Sequence, residues 1–164
     1  MGLDIVSRRK VQLVGASREY VEAEDLICAT LFRCFSHAIP GVPIIEEFID
    51  RTGTGFALMR ALEPGGEHAR TSYSGYSMFR DLLTGLVPPA RLELQPGDSF
   101  YEMVFMSDCE GFFTAPVCKK IAKDFDDYRE AFAEKYSDDW MRLYNEWGAV
   151  FRDAADRDGI VEYR

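Results

Sequence analysis

Residues 107–111 read S-D-C-E-G, which sets a thiol between two carboxylates and closes the group with a glycine. Asp108 and Glu110 lie two positions apart, so on a strand they share a face and on a turn they can converge on a cation. Magnesium and calcium are held by oxygen donors of this kind, with a third or fourth arriving from elsewhere in the chain. Asp81 and Asp98 are the acids considered for that role. An enzyme built on this group would be a metal-assisted hydrolase using Asp108 and Glu110, or a thiol enzyme using Cys109. A thiol nucleophile needs a base close by. The chain has two histidines, His37 and His68, and neither has a local partner arrangement. The competing account is turn chemistry, in which Ser and Asp bond nearby backbone N–H groups and glycine supplies a positive φ. These five residues by themselves favour the turn.

Residues 72–81, S-Y-S-G-Y-S-M-F-R-D, crowd three serines, two tyrosines, Arg80 and Asp81 at the start of a predicted helix. Free N–H groups at a helix start can hold an anion. Ser74, Tyr76 and Arg80 therefore join Asp108, Cys109 and Glu110 as ligand-binding candidates. The stretch is no phosphate loop, because the glycine pattern and the lysine are missing, and it has no nucleophile elbow. Ser74 as a helix cap, with Tyr76 and Phe79 in the core, accounts for the same composition. Residues 51–56, R-T-G-T-G-F, lack the third glycine of a dinucleotide loop. Cys34 and His37 have C-x-x-H spacing with no second pair to complete a zinc site. No metal or other cofactor is expected.

The elements that must position these residues are uneven in clarity. Residues 3–14 suit a strand or strand pair. Residues 18–25 read as helix or turn and 26–35 as a strand. Pro43 starts a short helix through residue 50. Residues 56–62 and 68–73 read as two strands of a hairpin around the turn E-P-G-G-E. A helix follows with Tyr76, Phe79, Leu82, Leu83 and Leu86 on one face, ended by Pro88 and Pro89. Residues 100–106, F-Y-E-M-V-F-M, look like a short buried strand. Val117, Cys118, Ile121, Phe125, Tyr128 and Phe132 recur at helical spacing, and so do Trp140, Tyr144, Trp147, Phe151 and Ala154. The two helices should form a hairpin over residues 115–157, with a last edge strand after Gly159. The fold class expected is α+β, one domain over residues 1–164: a small, mostly antiparallel sheet, a central helix and a C-terminal helix pair packed on it.

A net charge of -9 repels nucleic acid and anionic membranes, and Arg8, Arg9 and Lys10 are too few to reverse that. No run of apolar residues reaches membrane-spanning length, and the first residues lack the order of a signal peptide. Val6 stands where a myristoylation signal needs Ser or Thr. A cytoplasmic protein with reduced thiols is expected, with no nucleic-acid or membrane partner. Trp140 and Trp147, with Tyr128, Tyr136 and Tyr144 nearby, suit either a core stripe or a homodimer face.

The opening M-G-L-D-I, the central S-Y-S-G-Y-S-M-F-R-D-L-L, the F-Y-E-M-V-F-M-S-D-C-E-G that runs on to V-C-K-K-I-A-K-D-F, and the final residues 140–164 together resemble a family of small proteins of bacteriophages and bacterial genomes, often within prophages. The likeness is scattered in the same order over most of the chain and is poor over residues 15–55. It implies kinship and an α+β domain, and no particular activity. A phage setting favours a binding module that meets a host protein over a metabolic enzyme.

Overall fold

The computed structural model describes residues 2–17, 19–30, 56–87, 91–106 and 111–164. Among them a mainly antiparallel sheet of six strands is packed with five α-helices, the α+β class expected. The strands are β1 (Gly2–Ser17), β2 (Ile27–Thr30), β3 (Phe56–Glu63), β4 (His68–Ser72), β5 (Gly111–Phe113) and β6 (Ile160–Tyr163). The helices are α1 (Tyr73–Thr84), α2 (Tyr101–Phe105), α3 (Ala115–Asp127), α4 (Arg129–Lys135) and α5 (Asp138–Asp156). The helix expected over residues 43–50 and the end of the strand expected over 26–35 lie outside the described residues.

The sheet runs β2-β3-β1-β6-β5, with β4 also paired to β1. Strand β1 is the organiser. Its first half pairs with β4 on one edge and β6 on the other, and its second half pairs with β3. Lys10 takes a φ of 48° between the two halves, a left-handed conformation that bends a strand. β2 also comes into contact with β5 from the far end of the order, so the sheet curls back on itself.

Three expectations need correction. β3 and β4 do not form a hairpin; both run antiparallel to β1, so residues 64–67 step the chain along β1 instead of reversing it. Residues 101–105 are helical, not a strand. A run that is nearly all apolar has no period to tell the two apart, and Phe100, at a φ of 60°, turns the chain into the helix. β6 is not an edge strand, because it lies between β1 and β5.

Register alternation sorts the residues. Leu3, Ile5, Tyr163, Val161 and Phe113 share the face that meets the helices, while Val6, Arg8, Ile160, Glu162 and Phe112 share the other. The core sits on the first face. Trp147 is fully buried, stacked on Tyr76 at 5.0 Å and edge-on to Phe79 and Tyr163. Phe125 meets Tyr144 at 4.8 Å and Phe100 at 5.2 Å. Trp147 and Tyr144 are thus spent in the core, and of the aromatic stripe Trp140 is only half-buried.

One polar network ties β1 to α5. Ser7 is buried; its hydroxyl accepts from the Glu67 amide at 2.7 Å and donates to Asp153 at 2.5 Å. Arg9 grips the same carboxylate through Nε at 2.9 Å and Nη2 at 2.7 Å. Burial pushes the Asp153 carboxyl up, but the bonds from Arg9 and Ser7 outweigh it and hold it below its ordinary value. A depressed carboxyl stabilises the fold above the ordinary carboxylate range, and that contribution is lost as the pH falls through the folded-state value. Asp153→Asn is expected to cost about 2 kcal/mol at neutral pH and to flatten the fall in stability below about pH 4. Urea denaturation at several pH values checks both.

Candidate functional site

α1 begins after Ser72, not Ser74: the Ser72 hydroxyl accepts the Gly75 amide at 2.9 Å, and Ser74 is exposed with its own hydroxyl 3.1 Å from that of Ser72. Ser72 is the last residue of β4, so the extended backbone a cap needs is already in place. One helical turn on, Tyr76 is fully buried and donates its hydroxyl to the Met103 carbonyl at 2.7 Å. Arg80 lies across the Tyr76 ring, its guanidinium carbon 4.5 Å from the centroid. Its Nη1 donates to the carbonyls of Met106 at 3.0 Å and Val104 at 3.4 Å, the open end of α2. Arg80 forms no ion pair among the described residues, and its Nε has no hydrogen-bond partner.

These contacts fix α1 against α2, whose chain leads directly into the S-D-C-E-G stretch. Ser107, Asp108, Cys109 and Glu110 lie outside the described residues, as do Cys34 and His37. Gly111, the last of the motif, begins β5 with a φ of 131°. Of the six candidate side chains, Tyr76 and Arg80 are therefore brought together, and both bond main-chain carbonyls of 103–106. Ser74 stands apart from them at the helix start.

A second cluster joins α2 to α3. Lys120 donates to Glu102 at 2.7 Å, to Asp124 at 2.9 Å and to the Asp98 carbonyl. Glu102 and Asp124 are both buried, and Asp124 also accepts the Phe100 amide at 2.9 Å. That bond holds the left-handed turn at Phe100. Burial raises the Asp124 carboxyl above its ordinary value, against the Phe100 amide and Lys120, which lower it. A raised carboxyl stabilises the fold at pH values below the ordinary one and loses that contribution as pH rises through the folded-state value. Asp124→Asn keeps an acceptor for Phe100, sheds the buried charge and leaves Lys120 with Glu102. It is expected to stay within about 1 kcal/mol of the parent at pH 7, while Asp124→Ala costs about 2 kcal/mol. Chemical denaturation of the pair decides it. Among the described residues no group of three or more His, Cys, Asp or Glu is placed to hold a metal ion.

An opening lies elsewhere, at the face of β1 and β6 opposite the one that packs on the five described helices. It is a cleft of about 680 Å³, inside the usual size range of small-ligand sites. Arg8, Glu162 and Arg164 form its floor, and Ile27, Cys28, Arg60 and Ala61 of β2 and β3 form one wall. Tyr20, Glu24, Asp25 and Leu26 line it as well. Register explains the floor: Arg8 lies opposite Ile160 and Glu162 opposite Val6, which puts the two charges diagonally on one face. Arg8 donates to Glu162 from Nε and Nη2, both at 3.1 Å. Arg60 meets Asp25 at 3.0 Å. Arg164 and Glu24 form no ion pair among the described residues. Tyr20 stands 65 % exposed, edge-on to Phe56 at 5.8 Å. Cys28 is half-buried and accepts the Val21 amide through Sγ at 3.3 Å, whereas Cys118 is buried and its thiol is pushed up by burial.

The residues of this cleft escaped the sequence reading. In the sequence Arg8 belongs to a short basic run, and nothing local links it to Glu162. No family model, no curated protein and no solved structure matches the chain. No helix among the described residues is long and apolar enough to cross a membrane.

Proposed function

We propose that this chain is a non-catalytic binding module of the phage or prophage type its sequence resembles, acting in the cytoplasm on a host protein. The observation that carries the reading is the cleft at Arg8 and Glu162, where charged side chains of both signs and an exposed tyrosine surround a ligand-sized space. Elsewhere the polar groups that sequence brings forward, Tyr76 and Arg80, bond main-chain carbonyls within the fold. A buried hydroxyl so engaged suits positioning of elements better than capture of a ligand. A host protein is favoured over a second copy of the chain, because Trp147 and Tyr144 of the aromatic stripe are spent in the core.

The test is a ligand-observed NMR fragment screen on the parent and on Ala61→Trp. Ala61 is exposed on the cleft wall, so a bulky ring there fills the space without touching the core. Fragment signals that vanish in the variant support the reading. Signals that persist unchanged place binding elsewhere and overturn it.

A further inference from the structure

The cleft's charges specify more than its size does. Its walls carry three guanidinium groups (Arg8, Arg60 and Arg164) and three carboxylates (Glu24, Asp25 and Glu162). Two of each are already matched, Arg8 with Glu162 and Arg60 with Asp25. Arg164 and Glu24 remain, one of each sign, with no ion-pair partner among the described residues. A phosphate drawn to Arg164 would also meet the carboxylate of Glu24, and a polyamine drawn to Glu24 would meet the guanidinium of Arg164. Like-charge juxtaposition of that kind discriminates strongly against a ligand of one sign. A ligand bearing both signs meets no such penalty. Leu26, Ile27 and Ala61 add an apolar strip to the polar lining, which suits aliphatic groups between the charges.

From this, and resting on the reading of the cleft as the binding site, we infer that its ligand is a peptide segment of mixed charge. Its carboxylate would pair with Arg164 and its cationic side chain with Glu24, with an apolar residue between them. Both pairing groups are exposed and outside the core, so removing them leaves the fold intact.

The experiment is a titration of the ¹⁵N-labelled chain with acetyl-Glu-Leu-Lys-amide, followed by two-dimensional NMR. Acetyl-Gln-Leu-Gln-amide, inorganic phosphate and spermidine serve as comparisons. The expected result is saturable shifts at Tyr20, Cys28, Ala61 and Glu162 with the charged peptide, each of Arg164→Ala and Glu24→Gln weakening it by about fivefold. Equal binding of the uncharged peptide, or tighter binding of phosphate or spermidine at the same residues, overturns the ligand class while leaving the cleft as a site. Failure of all four probes to move those residues, with fragments still displaced by Ala61→Trp, again rejects only the ligand class. If the fragments are not displaced either, the cleft itself falls.

Discussion

Trp147→Ala is expected to cost about 4 kcal/mol and to lower the melting temperature by about 10 °C. The indole is fully buried where α5 crosses the helix face of the sheet. It stacks on Tyr76 at 5.0 Å with an interplanar angle of 18°, and it meets Phe79 at 5.6 Å and Tyr163 at 5.9 Å. One side chain thus joins α1, α5 and β6. Truncation removes a large apolar area from the interior and opens a cavity among rings that cannot all move in to fill it. Trp147 Nε1 has no hydrogen-bond partner, so Trp147→Phe sheds an unsatisfied donor as it loses volume. That variant is expected to cost about 1.5 kcal/mol, well below the alanine. Urea unfolding of the three proteins ranks them; equal losses for Phe and Ala would show that the indole's volume is not what matters.

Gly159→Ala is the second large effect, expected at about 3 kcal/mol. A Cβ at this position would lie 1.9 Å from the Arg8 carbonyl oxygen, backbone against backbone. Neither strand can give way easily. Arg8 is paired with Ile160, Lys10 donates its amide to Arg157, and Val11 donates to Asp158. The Gly159 amide itself bonds the Ala154 carbonyl at 2.9 Å and closes the end of α5. Relief of the clash would part β6 from β1 and with it disturb Arg8 and Glu162. Gly15→Ala is the control, because a Cβ there meets nothing within 4 Å, and it should change stability by less than about 0.5 kcal/mol. Thermal unfolding followed by circular dichroism compares the two.

How much of this could be read from sequence depends on distance along the chain. The C-terminal helices were legible because apolar residues such as Ile121, Phe125, Phe151 and Ala154 repeat at helical spacing, a purely local signal. The strands around residues 56–63 and 68–72 were legible as extended segments, yet their partner was not. Both pair with β1, about forty positions away or more, and a glycine-rich turn between two strands ordinarily signals a hairpin. The helix Tyr101–Phe105 hid in an apolar run without period. The cluster around Tyr76 and Arg80 was visible as unusual chemistry, but its acceptors are backbone carbonyls, which every residue offers and no composition reveals. The cleft was invisible for a related reason. Arg8 and Glu162 are separated by 154 positions and meet only through the β1–β6 register.

The central claim is that binding occurs in the cleft at Arg8 and Glu162 and not where the sequence concentrates its polar residues. A map of backbone amide shifts on adding cleft-sized fragments to the ¹⁵N-labelled chain tests it most directly. The account predicts perturbations grouped at Arg8, Tyr20, Cys28, Arg60 and Glu162. Shifts confined to residues 72–81 and 103–111, with the cleft residues unmoved, would contradict it.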